Sequence, residues 1–213
     1  MRQPTITIII PVFNVEKFVN ETLLSVKNQI SQADEVIVIN DGSTDGSLDI
    51  INNYRDLYGW KIIQTLNQGI GLTRNFGISI TKSEYIYFLD SDDIVKNNLI
   101  FRMREIIQHY NKPDMILFSG EYFSNDGSNH KMPKLKFTLR GEYLRGNKLI
   151  TKLLKKKETL PQVSRYITKV ELWTINKLDY PEGVAEDEAL FFPLLALSER
   201  VVIIPEIYYS YRV

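Results

Sequence analysis

Thr5 to Pro11 is a nearly unbroken apolar run rich in isoleucine. A run without polar alternation predicts a strand buried on both faces of a parallel sheet. From Val15 to about Gln29 the spacing turns helical, with Phe18, Thr22, Val26 and Ile30 near one face. Glu35 to Asn40 reads as a second buried strand, closed by Asp41-Gly42-Ser43. Ser43 or Thr44 is suited to cap the next helix, which turns Leu48, Ile51 and Tyr54 inward. Trp60–Leu66 predicts a third strand, Gly69–Ile80 a third helix and Tyr85–Leu89 a fourth strand. Strand and helix thus alternate three times, the pattern of βαβ units in a doubly wound sheet. Right-handed crossovers put the loops that follow the strands on one edge, where open α/β sheets bind ligands.

Beyond Asp93 the alternation fades. Leu99–Tyr110 reads as a helix, Asp114–Ser119 as a strand and Ser124–Pro133 as a loop. A helix with a basic far end is expected over Tyr143–Lys157. Pro181-Glu182-Gly183 predicts a turn before a helix from about Glu186 to Leu197, and Val201–Pro205 and Ile207–Arg212 predict two closing strands.

Composition narrows the class. The chain has 213 residues, 44% of them hydrophobic, enough for one α/β domain with an appended subdomain. Lys plus Arg equals Asp plus Glu at 26 each, so no global basic field marks a nucleic-acid binder. The absence of cysteine excludes disulfides and thiolate metal sites and fits a reducing compartment. Met1–Thr5 lacks the basic start of a signal peptide, and no stretch reaches the roughly 18 apolar residues of a membrane span. The expectation is a cytoplasmic protein.

Four polar clusters carry candidate chemistry. In Asp90-Ser91-Asp92-Asp93, carboxylates beyond a buried strand suit a hard divalent ion, which takes one or two carboxylates plus substrate phosphates. The alternative is a helix cap by Asp92 or Asp93. Asn40-Asp41-Gly42-Ser43-Thr44-Asp45 places a carboxylate where a base N–H or ribose hydroxyl could meet it, or is only a capped turn. In Asn67 to Gly77, Gly69 and Gly71 precede a helix whose N–H groups could face an anion. Arg74 would point at a diphosphate or at the carboxylates, or simply pair with an Asp. Glu186-Asp187-Glu188 opens a helix; one of the three could act as general base, or all could serve as capping charge. His109 and His130 read as surface residues.

Taken in order, Pro11-Val12-Phe13-Asn14, Asn40 to Asp45, Asn67 to Gly77, Asp90 to Asp93 and Glu186-Asp187 resemble the inverting family 2 glycosyltransferases of the GT-A fold, as do Ser25 and Gln29. The resemblance is strong from about Thr5 to Leu99 and returns from Pro181 to Arg212. It implies a Rossmann-like, mostly parallel sheet flanked by helices, with a smaller C-terminal acceptor-binding subdomain. Residues 1–98 would form the donor half and 99–213 the acceptor and base half, packed as one continuous domain. It further implies that Asp41 meets the nucleotide base beside Pro11, Val12, Phe13 and Asn14. Asp90 would face the ribose or donor sugar, Arg74 would support the diphosphate region, and Ser91, Asn67 and Gly71 would join the donor site. Asp92 would coordinate Mg²⁺ or Mn²⁺. Asp187 would be the catalytic base, supported by Glu186 and Glu188. Tyr209-Ser210-Tyr211-Arg212 resembles the closing strand of the family. Val163-Ser164-Arg165 departs from the Trp-Asn-Lys stretch of many relatives, and relatives usually continue beyond the equivalent of Val213.

The implied function is transfer of a sugar from a nucleoside diphosphate sugar, a UDP-sugar foremost, to a hydroxyl of a glycan or lipid-linked acceptor in surface polysaccharide synthesis. The alternatives are a carbohydrate- or nucleotide-sugar-binding module with a dead site, and a sugar-1-phosphate nucleotidyltransferase. The latter would need a glycine-rich, Arg-bearing loop where Pro11-Val12-Phe13-Asn14 stands. Trp173 could stack on an acceptor sugar or belong to a core. Lys148 to Lys157 could rest on an anionic membrane surface as a peripheral contact, or be a solvated amphipathic helix.

Overall fold

The computed structural model describes residues 2–124, 135–158, 162–183 and 186–213, and of 186–188 the backbone only. Most of the loop expected from Ser124 to Pro133, His130 included, lies outside the described residues. Strands β1 (Ile6–Val12), β2 (Glu35–Asp41), β3 (Lys61–Thr65) and β4 (Tyr85–Phe88) alternate with helices α1 (Val19–Lys27), α2 (Ser47–Tyr58) and α3 (Ile70–Ile80). Then come β5 (Ile94–Val95), α4 (Leu99–His109), β6 (Met115–Phe123), β7 (Gly141–Leu144) and α5 (Gly146–Lys156). The chain closes with β8 (Tyr166–Lys169), α6 (Val170–Asn176), α7 (Glu186–Leu197) and β9 (Arg200–Arg212).

One sheet carries the order β3-β2-β1-β4-β8-β6-β9-β5, with β7 beside β9. The first four strands run parallel to one another. β8 enters antiparallel between β4 and β6. The sheet is therefore mixed.

Side-chain parity explains the three layers. Ile6, Ile8, Ile10 and Val12 face one core with α1, α2 and α4. Ile9 faces the other, with Ile37, Ile39 and residues of α5, α6 and α7. A strand whose odd and even positions are both apolar must be covered on both faces. At Gly77 of α3 an added Cβ would lie 2.6 Å from Ile9 Cγ2, so helix and strand meet almost backbone to side chain there.

Several expected boundaries move. Helix α1 starts at Val19 rather than Val15; the residues before it form a turn in which the Phe18 and Val19 N–H groups both reach the Val15 carbonyl (2.9 Å each), while the Val15 N–H donates to Ser47 Oγ (2.9 Å) and the Glu16 N–H to Asp45 Oδ2 (3.0 Å). Ile30 stands 68% exposed, off the buried face expected for it. Neither Ser43 nor Thr44 caps α2; Gly46 holds that position. Residues 141–144 form β7 on the edge of β9 instead of the first turn of α5, and Arg145, at φ +63°, separates the two. The two closing strands are one, β9, whose register against β6 shifts near Pro205, a residue with no N–H to give to a ladder.

Candidate active site

The loops after β1 and β2 interlock. Asn14, at φ +51°, donates its N–H to Ser43 Oγ (3.1 Å), and its Oδ1 accepts the Thr44 N–H (2.8 Å). Glu16 accepts the Gly46 N–H (2.7 Å). Ser43 and Thr44 thus spend their polar groups on Asn14. Gly42 is required where it stands: it has φ +73°, and a Cβ would lie 2.8 Å from the Asn67 nitrogen.

Between these loops and the start of α3 lies a cavity of about 390 Å³, walled by Pro11, Val12, Phe13, Asn67 and Ile70, with Asp41, Gly69 and Ser91 as polar lining. Phe13 is 44% exposed, a wall without a partner of its own among the core clusters. Asp41 is buried at the back. Its Oδ1 accepts Thr65 Oγ1–H (2.9 Å) and the Gln68 N–H (3.1 Å), and its Oδ2 accepts the Gly69 N–H (2.9 Å). The carboxylate therefore shapes the loop before α3. The Gly69 N–H is turned to Asp41 and not toward an incoming anion, as the glycine pattern had suggested. A larger hollow of about 560 Å³, near Lys27, Tyr58 and Lys61, lies away from these carboxylates, and its Glu35 is paired with Lys61.

The second wall is the loop after β4. Arg74, buried in the first turns of α3, donates Nη2 to Asp90 Oδ1 at 2.8 Å and lies over the rings of Tyr180 and Phe88, 5.4 and 6.0 Å from their centroids. The ion pair weighed as an alternative for Arg74 is thus present. Ser164, fully buried, sets its Oγ 3.3 Å from the Asp90 nitrogen and 3.4 Å from Asp90 Oδ2. The Ser91 carbonyl accepts Thr22 Oγ1–H (2.9 Å) from α1. Ser25 of the same helix and Gln29 just beyond its end hold the chain beyond Asp93, through the Val95 N–H (3.2 Å) and the Ile100 N–H (3.1 Å).

Asp92 and Asp93 have different fates. The Asp93 carboxylate is almost fully buried, accepting the Tyr209 hydroxyl and the Arg212 N–H (2.8 Å); it anchors β9 and caps no helix. Burial first, then the Asp90 charge, pushes its carboxyl up to about 7. The half-buried Asp92 is also pushed above the usual carboxylate range by burial and by Asp90. Arg212 fixes the Asp92 backbone from outside: Nε donates to the Asp92 carbonyl (2.6 Å) and Nη2 to Glu21 (2.7 Å). Its guanidinium sits over Phe18 and Phe123, 4.8 and 4.5 Å from the ring centroids. Sequence reasoning did not assign Ser164, Tyr209 and Arg212 these roles. Its only signals were the departure at Val163-Ser164-Arg165 and the likeness of the closing strand.

A sequence profile of glycosyl transferase family 2 matches residues 7–168, from β1 into β8. The chain belongs to that family. Among family relatives, a Haemophilus influenzae protein described as an uncharacterized glycosyltransferase is 32% identical over 92% of this chain and 73% of its own. A poly(ribitol-phosphate) beta-glucosyltransferase of Bacillus spizizenii is 30% identical over 98% of this chain and 32% of its own. The crystal structure of S. aureus TarS residues 1–349 in complex with UDP superposes with a TM-score of 0.83 at 25% identity, covering 98% of this chain and 60% of that one. A further TarS structure holds UDP-GlcNAc. The chain thus spans less than two thirds of two of these three relatives. The fold is the GT-A arrangement.

The other expected site residues of this family member fall as follows. Gly71 is buried in the first turn of α3, and Asn67 is exposed at the cavity rim. Trp173 does not face an acceptor. It is 1% exposed, donates Nε1–H to Thr168 Oγ1 (2.8 Å) and packs edge-on against Phe88. A ring so enclosed has no face to offer a sugar. His109 is exposed, edge-on to Tyr110. The side chains of Glu186, Asp187 and Glu188 lie outside the described residues; their backbone forms the first turn of α7. Asn75 ties α3 to the segment leading there, exchanging hydrogen bonds with Tyr180 at 3.0 and 2.8 Å.

Proposed function

We propose that this chain is an inverting glycosyltransferase that moves a sugar from a nucleoside diphosphate sugar, a UDP-sugar foremost, to a hydroxyl of a glycan or lipid-linked acceptor in surface polysaccharide synthesis. The observation that carries the reading is the cavity itself: Phe13 and Ile70 offer apolar walls, Asp41 a carboxylate at the back, and Ser91 joins it to the loop after β4, where the neighbouring Asp90 pairs with Arg74. A base can lie between the walls, with its sugar and diphosphate extending toward Asp90. TarS, of the same fold, is known with UDP and with UDP-GlcNAc bound, which supports this direction. The acceptor class follows the poly(ribitol-phosphate) substrates named for two relatives.

Asp92, assisted by Asp90, fits a hard divalent cation such as Mg²⁺ or Mn²⁺. The donors are oxygen, and the Asp90 charge that raises the Asp92 carboxyl would favour a cation at Asp92. Among the described residues no third carboxylate or histidine joins them, so donor phosphates and water would complete the shell. When bound, such an ion would neutralise charge developing on the departing diphosphate. Asp187, in the first turn of α7, takes the acceptor hydroxyl proton as that oxygen attacks the anomeric carbon. The bond from that carbon to the diphosphate breaks on the opposite side, which inverts the configuration. Arg74 holds the Asp90 carboxylate in place.

The test is Asp187→Asn. Transfer and hydrolysis of a UDP-sugar should fall to background while the donor still raises the melting temperature, because the folded state it binds is unchanged. Near-normal turnover by this variant would refute the base assignment and move it to Glu186 or Glu188. No stabilisation by any nucleotide sugar, with or without Mn²⁺, would refute the donor reading.

A further inference from the structure

Six of the 26 Lys and Arg residues fall between Arg145 and Lys157, with no Asp or Glu among them. In a chain of zero formal net charge this is a strong local excess. Structure turns the run into a surface. Gly146, Leu149 and Leu153 are the buried stripe of α5. Lys148, Lys152 and Lys155 follow at i, i+4 and i+7 on the exposed side, and Lys156 and Lys157 close the helix. The nearest flanking acids are engaged or turned in: Glu142 pairs with Arg200, and the buried Glu158 accepts from Thr138.

The surface is not only cationic. Leu154 is 54% exposed beside the lysines, and Leu144 at the end of β7 is 67% exposed. Lys152 Nζ lies over the Tyr143 ring, 5.0 Å from its centroid, joining β7 to that flank of α5. Leu197, 44% exposed at the end of α7, is brought close by the hydrogen bonds from the Arg145 and Gly146 N–H groups to Glu199 and Ser198 carbonyls (2.6 and 2.7 Å). Exposed leucines among lysines suit an interface where headgroups meet acyl chains. A soluble polyanion would use the lysines alone.

We propose that the outer side of α5, with the end of β7, docks this protein on an anionic bilayer. Helix α5 hangs on α7 through Gly146, where a Cβ would lie 1.8 Å from the Leu195 carbonyl oxygen. Docking therefore orients the helix whose first turn holds residues 186–188. The inference does not rest on the donor assignment.

The test is co-sedimentation with vesicles of phosphatidylcholine alone and of an equal mixture with phosphatidylglycerol. The protein should sediment only with the mixed vesicles, and less so as salt rises. The triple variant Lys148→Gln, Lys152→Gln, Lys155→Gln changes only exposed side chains. It should keep the parent melting temperature and bind the mixed vesicles about tenfold more weakly or worse. Leu154→Ser should weaken vesicle binding without changing binding to inorganic polyphosphate. The proposal is overturned if the parent ignores mixed vesicles, or if the triple variant sediments like the parent. It is equally overturned if polyphosphate is bound while Leu154→Ser alters neither interaction, which would mark a polyanion site.

Discussion

Arg74 reaches Asp90 from a position that water hardly touches, while Asp90 keeps about a quarter of its side chain exposed. Arg74→Met would leave that carboxylate without its cation. Removing one partner of a largely buried pair costs on the order of 3 kcal/mol, and here the donor edge would loosen with it. Urea unfolding should show a lower midpoint at unchanged slope, and UDP should no longer raise the melting temperature. Asp93 acts in the other direction. With its carboxyl raised to about 7, the folded state holds a proton that the unfolded chain gives up near the ordinary 3.8. Its contribution is therefore most favourable below that ordinary value and is lost as pH climbs toward 7. Asp93→Asn can still accept the Arg212 N–H, so in chelator-treated buffer its stability should fall less than the parent's between those two pH values. Asp41 and Asp90 stood out because charge at the end of an apolar run is conspicuous, and Arg74 because it follows the glycines that open α3. Their partners were not. Ser164 meets Asp90 across 74 positions and Arg212 meets Asp92 across 120, and no local pattern encodes such pairings.

Among elements, α5 and α7 meet at their tightest point at Gly146. Gly146→Ala forces a methyl group into the Leu195 carbonyl, an overlap with backbone that no rotamer relieves. Overpacking of this kind costs about 3 kcal/mol or more, and a thermal unfolding scan should register it as a drop of several degrees. The longer elements were easy to recognise: β1, β2 and α1 to α4 lie near their expected places because each repeats its apolar spacing, and β3 and the four-residue β4 because each follows a helix in the alternation. The two residues of β5 and four of β8 are too short to show a period. By sequence β7 merges with α5, because Tyr143 fits a helical face as well as a strand. What separates them is the positive φ of Arg145, and arginine gives no sign of it. Trp173 was ambiguous for a related reason: a large ring suits a core and a sugar platform equally, and only its neighbours Phe88 and Tyr180 decide.

At the scale of the molecule, the alternation of β1 to β4 with helices predicted a doubly wound parallel sheet, and the family resemblance anticipated the GT-A form. The antiparallel entry of β8 was hidden, since strand order is fixed by contacts between distant segments. That entry matters before the protein is finished. As the chain leaves the ribosome, β1 to β4 can assemble by parallel pairing within the first 88 residues. The outer edge of β4 then waits until Tyr166 to Lys169 arrive to cover it. Throughout that interval it offers unpaired N–H and carbonyl groups flanked by Tyr85, Ile86, Tyr87 and Phe88, the kind of edge that recruits other strands. Residues 1–98 produced alone should therefore self-associate, as light scattering would report. Adding residues 99–213 as a separate polypeptide during refolding should suppress it. Between the emergence of β4 and that of β8 the growing chain therefore carries an open apolar edge that the finished protein does not.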